Sequence, residues 1–335
     1  MVEPFTLWHY LIELIGDRVV MPLALLANRS GDGSDSREIA TSLLISVIHI
    51  GIILLVFRPL ESWLPAERWT ARRLTRVDRQ YTLLIVLGAA PLAFLIALMP
   101  LRDMVAGGTG PSLLASVPWL DHHPYLQFFA YYLVFDFVYY WMHRAEHAIP
   151  WWWALHSLHH SQRQLSCWSN DRDCFLSGLF EALILASVGL LLGVEPSEFA
   201  LLMLAGELIQ DFSHTNVRAG FGKLGGKLIV GPDFHRLHHM RADPKHLGRH
   251  RCNFAQAFPL WDILFGTALY AETPQATGVT DPMIDTDNDL GLVGQQQAAL
   301  RRFWGAIWRR AGWIPGDVSF GADYKPIADA EGIEH

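Results

Sequence analysis

His143-Arg144-Ala145-Glu146-His147, His156-Ser157-Leu158-His159-His160 and His235-Arg236-Leu237-His238-His239 are the stretches on which the reading of this chain turns. With the isolated His214, in Phe212-Ser213-His214-Thr215-Asn216, they hold nine of the chain's 16 histidines. On a helix, residues at i, i+3 and i+4 share a face, so each box projects two or three imidazoles in one direction. A structural zinc takes four ligands, often with cysteine, and a catalytic zinc takes three plus water. Eight or nine convergent imidazoles exceed both, and suffice for two ions. Imidazole suits zinc, copper, iron and nickel alike, so ligand type does not name the metal. The boxes predict a two-metal site.

Around the boxes the chain is apolar. Its 335 residues are 51% hydrophobic and only 18% charged, with a mean hydropathy of +0.20. Ile39–Phe57 carries no charge and His49 as its only ionisable residue; Tyr81–Pro100 carries none; Pro124–Met142 has only Asp136, and Phe175–Gly193 only Glu181. Each approaches the ~20 residues that cross ~30 Å of hydrocarbon. Glu198–Gln210 is shorter and reads as the return arm of a hairpin turning at Glu195-Pro196-Ser197. About four spanning helices are expected, the second kinked at Pro91. Leu7–Leu26 is interrupted by Glu13, Asp17 and Arg18 and reads as interfacial; Met1-Val2-Glu3 lacks the basic start of a signal peptide, and Gly31–Ser36 reads as a connector. Cys167, Cys174 and Cys252 are too few for a disulfide framework and read as reduced cytosolic thiols. Arginine outnumbers lysine 22 to 4, which points to a high-GC bacterial genome and so to a bacterial inner membrane. The net charge of −7 arises mainly in the tail from Glu272, and nothing suggests nucleic-acid binding.

Basic residues orient the spans. Arg58, Arg68, Arg72, Arg73, Arg76 and Arg79 make the first loop cytoplasmic, whereas Leu101–His123 has Arg102 as its one fixed positive charge and should face out. The third span then returns the chain to the cytoplasm at His143. Residues 175–210 leave and come back, and the segment Asp211–Asp262 has eight Lys or Arg against four acids. Loop charge thus places every histidine box on the cytoplasmic face, as a shared metal site requires. In the tail, Arg301-Arg302-Phe303-Trp304-Gly305-Ala306-Ile307-Trp308-Arg309-Arg310 mixes basic and aromatic residues as an interfacial helix does, or as an ordinary docking helix does.

The order HRxxH, HxxHH, lone His, HxxHH, followed by Asn253-Phe254 and Leu260-Trp261-Asp262-Ile263-Leu264-Phe265-Gly266-Thr267, resembles the fatty acid hydroxylase/sterol desaturase superfamily. The run Asp136-Phe137-Val138-Tyr139-Tyr140-Trp141-Met142 into the first box is similar too. The resemblance covers roughly Tyr125 to Thr267. It implies a membrane-embedded non-haem di-iron oxygenase that uses O2 and two electrons to oxidise a C–H bond of a lipid. His143, His147, His156, His159, His160, His214, His235, His238 and His239 are carried over as ligands to two irons. Where the family often has Asn-Tyr-Gly, this chain has Asn253-Phe254-Ala255, which questions the local backbone. No cytochrome b5-type or flavin motif is present in the sequence, so the resemblance implies a separate redox partner of cytochrome b5, ferredoxin or reductase type.

Metal-bound histidines are oriented through their other ring nitrogen. Asp136, two helical turns before His143, is the first candidate to accept that N–H; Asp211, Asp233, Asn216 and Asn253 are weaker ones. Arg163 and Arg172, after the second box, are candidates to hold an anionic headgroup. Two rival classes exist. HxxEH at 143–147 matches an inverted zinc-peptidase signature, but no glutamate lies between Glu207 and Glu272 to complete it, and both HxxHH boxes go unexplained. A non-catalytic haem carrier would place histidines within facing spans. The expected protein is therefore all-α: about four spans with a cytoplasmic helical cap holding the di-metal site. Residues 1–120 form an N-terminal membrane region, 121–270 the catalytic domain and 271–335 a cytoplasmic tail. Lipid hydroxylation is the expected reaction, with desaturation at the same site as the alternative.

Overall fold

The computed structural model describes residues 4–22, 33–68, 75–89, 117, 119–194, 196–241, 252–270 and 276–308. Pro91, the rest of the expected second span to Pro100, the outward loop to residue 116, Glu195 of the hairpin turn, and Arg309 and Arg310 lie outside them.

Among the described residues the chain is all-helical, its only β geometry being two isolated bridges. The helices that position the site are α1 (Pro4–Ile15), α2 (Gly33–Ile52), α3 (Thr75–Leu84), α4 (Pro124–Ala148), α5 (Pro150–His160), α6 (Phe175–Leu192), α7 (Pro196–His214), α8 (Pro232–His238), α9 (Leu260–Leu264) and α10 (Leu292–Trp308). Helix α2 runs on through Ile53–Phe57 and Arg58–Trp63. Proline sets the breaks. Pro124, Pro150 and Pro232 stand at helix starts, where the missing N–H costs nothing and φ is already helical. Pro150 thus separates the first box, at the end of α4, from the second, at the end of α5. Helix α6 stops at Gly193, whose φ of 72° is the left-handed cap geometry that glycine adopts without a Cβ penalty.

Two of these helices are long and apolar enough to cross a membrane, Ile39–Trp63 and Phe175–Leu192. The 25-residue α4 is as long as the first, but its Tyr131, Tyr132, Tyr139, Tyr140 and Asp136 turn inward. Tyr131, Tyr132 and Phe135 of α4 pack with Leu185 and Leu192 of α6 and Leu202 of α7. A second cluster seats α10 on α5: Ala299 and Phe303 meet Trp152, Ala154, Leu155 and Leu158, and burying Phe303 contributes about 1.5–3 kcal/mol. Arg302 is buried beside Phe303 and makes a two-pronged bond to Asp287, at 3.0 and 2.6 Å. The basic-aromatic stretch of the tail is thus a docked helix on one side, with Trp304, Ile307 and Trp308 exposed on the other.

Candidate metal centre

Four helix ends converge. Helix α4 supplies His143 and His147, α5 supplies His156, His159 and His160, α7 ends at His214, and α8 with the residue after it supplies His235, His238 and His239. None of the nine is more than 5% exposed. They divide into two groups, His143, His147, His156, His160 and His238 in one and His159, His214, His235 and His239 in the other. Within each group every residue can offer a ligand atom less than 4.8 Å from all the others. The groups share a wall, where the His160 and His239 rings stack 4.3 Å apart.

The two HxxHH boxes are split between the groups. His156 and His160, four apart, point together, while His159 faces the other centre. His235 and His239 point together, while His238 crosses to the first. Each HxxHH box therefore bridges both centres.

In the four-histidine group, Nδ1 of His214 donates to the Gln210 carbonyl at 2.7 Å, so Nε2 of the neutral ring is an acceptor. That atom lies 3.1 Å from Nε2 of His159, 3.1 Å from that of His239 and 3.0 Å from that of His235, with 3.2 Å between the last two. Three rings cannot all donate into one lone pair, so hydrogen bonding does not account for the arrangement. A cation does. With metal–nitrogen bonds of ~2.1 Å, ligands at right angles lie about 3.0 Å apart. In the five-histidine group, Nδ1 of His143 meets the Phe254 carbonyl at 2.9 Å, Nδ1 of His238 the Cys252 carbonyl at 2.8 Å, and Nδ1 of His156 the Asp173 carboxylate at 3.2 Å. Their Nε2 atoms are buried with no hydrogen-bond partner, a costly arrangement for polar atoms unless a ligand takes them. The donor set fits two ions that accept imidazole.

Electrostatics agree. Burial, and secondarily the neighbouring rings, holds His143, His147, His159, His160, His235, His238 and His239 well below the usual histidine range. Burial brings His156 down to about 3, and His214 to about 4. The imidazoles are neutral at physiological pH, as ligation demands.

The groups that orient the rings are mostly not those expected. Asp136 does not touch His143. Its carboxylate accepts the N–H groups of Ala257, Phe258 and the Trp261 indole at 2.8–3.1 Å, because the 252–262 loop reaches this face of α4 before any ring does. Asp211 pairs with His49 of α2 at 2.5 Å, and His214 has already found Gln210. Asp233 is exposed and accepts its neighbour's N–H, from Phe234. Asn216 ties the 61–67 segment to the site, accepting from the Glu67 N–H and from Arg236. Asn253 acts at one remove: its side chain donates to the Phe234 and Leu269 carbonyls and accepts the Leu269 N–H. It thereby fixes the two flanking carbonyls, Cys252 and Phe254, that orient His238 and His143. Its φ of 60° is the one positive value among described non-glycine residues, a conformation that asparagine tolerates. Ala255, in the place of the family's glycine, needs no such φ.

Residues missed from sequence complete the support. Asp262 accepts the Phe254 and Ala255 N–H groups, both at 2.9 Å, and the Thr267 hydroxyl at 2.6 Å. Asp173 faces His156. Glu146 lies 3.7 Å from Nδ1 of His156, on the ring's outer side, and accepts from Ser177. Glu146, the acid of the HxxEH signature, is thus engaged with the Nδ1 edge of His156 and with Ser177. Arg163 is bound two-pronged by Asp285, and Arg172 is buried against Asp78, Ser161 and Asn288; these partners, not a headgroup, engage both arginines.

An all-helical protein with two adjoining polyhistidine clusters is what the fold and the site define. Residues 128–267, which carry all nine histidines, match the sequence model of the family described as fatty acid hydroxylase. Among curated proteins the chain is 31% identical to the alkylglycerol monooxygenase of Homo sapiens over 206 residues, 60% of this chain and 42% of that protein. It is 30% identical to that of Danio rerio, over 58% of this chain and 45% of the other, and 28% identical to that of Xenopus tropicalis, over 56% and 42%. The matched region is less than half the length of these relatives. No solved structure matches the chain.

Proposed function

We propose that this protein is an O2-dependent, non-haem di-iron oxygenase that hydroxylates an unactivated C–H bond of a membrane lipid, and that a glycerol ether lipid is the first substrate to test. The observation that carries the reading is the division of nine buried, neutral imidazoles into a five and a four whose ligand atoms converge. His143, His147, His156, His160 and His238 would hold one iron and His159, His214, His235 and His239 the other. Bound there, the pair would supply the oxidising power with O2 that an alkyl C–H bond demands. The protein's share is positional. The carbonyls of Gln210, Cys252 and Phe254 and the Asp173 carboxylate fix ring orientation from outside, and near-complete burial excludes water from the centre. The stoichiometry is R–H, O2, two electrons and two protons giving R–OH and water. The electrons come from a separate donor of cytochrome b5, ferredoxin or reductase type.

The membrane arrangement is part of the proposal: about four spans, with boxes and cap on the cytoplasmic side of a bacterial inner membrane. Residues 1–120 serve as the membrane region, 121–270 as the catalytic domain and 271–335 as the tail. Its support is the loop-charge asymmetry and the two apolar helices.

The test is iron-loaded protein in bilayer discs, given a chemical or reductase electron supply and a panel of ether, acyl and sterol lipids under isotopically labelled O2. Product carrying one labelled oxygen is expected. An unsaturated product without labelled oxygen would identify the desaturase instead, and no oxidised lipid of any class in protein with full iron content would overturn the reading.

A further inference from the structure

The outer face of α10 takes no part in the metal centre. Gln297, Leu300, Arg301, Trp304, Gly305 and Trp308, all on one face of α10, bound a shallow, open cleft. Trp304 is 52% exposed and Trp308 64%. Large aromatic residues are costly to leave in water, and tryptophan concentrates where a hydrocarbon phase meets an aqueous one.

The position of this face in the fold agrees. Phe303, on the inner side of the same helical turn, stacks edge-on against Trp151 at 6.0 Å, and Trp151 does so against Phe180 at 6.0 Å. Phe180 lies five residues into α6, one of the two helices apolar enough to span a bilayer. At 1.5 Å per residue that is about 7.5 Å from the helix start. The C-terminal half of α10 is therefore tied to the first turns of a candidate span, at the level where hydrocarbon gives way to headgroups. Trp63 and Trp141, 77% and 42% exposed, extend the same aromatic character to the ends of α2 and α4, with Arg144 over the Trp141 ring. Arg301 supplies a cation on the cleft, and in the sequence Arg309 and Arg310 follow.

We propose that α10 lies in the cytoplasmic membrane interface and that this cleft binds an anionic phospholipid of the surrounding bilayer, its phosphate on Arg301 and its glycerol and upper acyl region between Trp304 and Trp308. The proposal rests on reading α6 as a membrane span, but not on the chemistry of the metal centre. The indole rings are amphipathic enough for that boundary, and the guanidinium matches a phosphate with two parallel N–H donors.

The test uses full-length, iron-loaded protein in discs of phosphatidylcholine with and without phosphatidylglycerol. The native thiols Cys167, Cys174 and Cys252 are buried, so a spin label on Trp304→Cys or Trp308→Cys reports one site. Leu183→Cys, on the exposed face of α6, is the lipid reference, and Met283→Cys, half exposed on the short Pro282–Asp285 helix, the aqueous one. The expected labels at 304 and 308 collide with oxygen more than with a water-soluble nickel chelate, as at 183. Chelate access like that at 283, or protection from both reagents, overturns the proposal; a label at 183 also open to chelate instead removes the membrane reading beneath it. In parallel, native mass spectrometry should show one retained phosphatidylglycerol per chain, with affinity about five-fold weaker in Arg301→Gln, the effect of one interfacial cation. Unchanged retention in that variant removes the phosphate from Arg301.

Discussion

Asn253 gives the sharpest perturbation of the site because its two functions separate. Its side chain makes three hydrogen bonds, to the carbonyls of Phe234 and Leu269 and from the Leu269 N–H, and its backbone sits at a φ of 60°. Asn253→Gly removes the bonds and keeps the backbone geometry easy. At about 1 kcal/mol for each bond it should cost about 3 kcal/mol. Asn253→Ala removes the bonds and adds the left-handed strain of a Cβ, about 1 kcal/mol more. Both loosen the carbonyls of Cys252 and Phe254, which orient His238 and His143. Loss of such outer support typically lowers metal affinity 10–100-fold, and here the effect should fall on the five-histidine group. Thermal unfolding in detergent, followed by tryptophan fluorescence, reads the first effect. Iron retained against graded chelator reads the second. Stability should fall in the order wild type, glycine variant, alanine variant, with one iron per chain lost early in both variants and the other held. Wild-type iron retention in the alanine variant would refute the claim that this loop orients the two rings. Equal stability of the two variants would refute the backbone argument.

Other outcomes follow from the same geometry. His235→Ala should deplete the four-histidine centre and His143→Ala the five-histidine one, so each leaves a different residual Mössbauer spectrum; identical spectra contradict the division. Asp173→Asn should weaken chelator-resistant iron about 10-fold or more through His156, with helical content unchanged by circular dichroism. Arg302→Met should destabilise the fold by about 3–5 kcal/mol by leaving the Asp287 carboxylate buried and unpaired, and Asp287→Asn with Arg302→Met should recover part of the loss. The three buried thiols should resist a water-soluble thiol reagent in the folded protein and react only as it unfolds.

The sequence carried the metal centre further than its support. One box with histidines at i and i+4 and two at i, i+3 and i+4 mark where imidazoles point together, because that spacing is a property of any helix. How they divide was not legible: that His238 leaves His235 and His239 for the other centre depends on how α8 meets α4 and α5 in space. The ring-orienting groups were misjudged for a related reason. A side chain seven residues from His143 on the same helix is a sound candidate, yet backbone carbonyls orient His143, His214 and His238, and a carbonyl leaves no mark in a sequence. Asp262 stood in a recognisable motif without its task, holding the N–H groups of Phe254 and Ala255, being visible. Proline at the starts of α4, α5 and α8 was a legible cue to where the helices break. The arginines after the second box read as free cations because their partners, Asp285 and Asp78, lie far away in the chain.

The most direct test is elemental analysis and Mössbauer spectroscopy of freshly purified, iron-57-enriched protein. The account predicts about two irons per chain in two distinct nitrogen-rich environments, one of them lost in His239→Ala. A single iron, or one tightly held zinc that iron cannot replace, would contradict it.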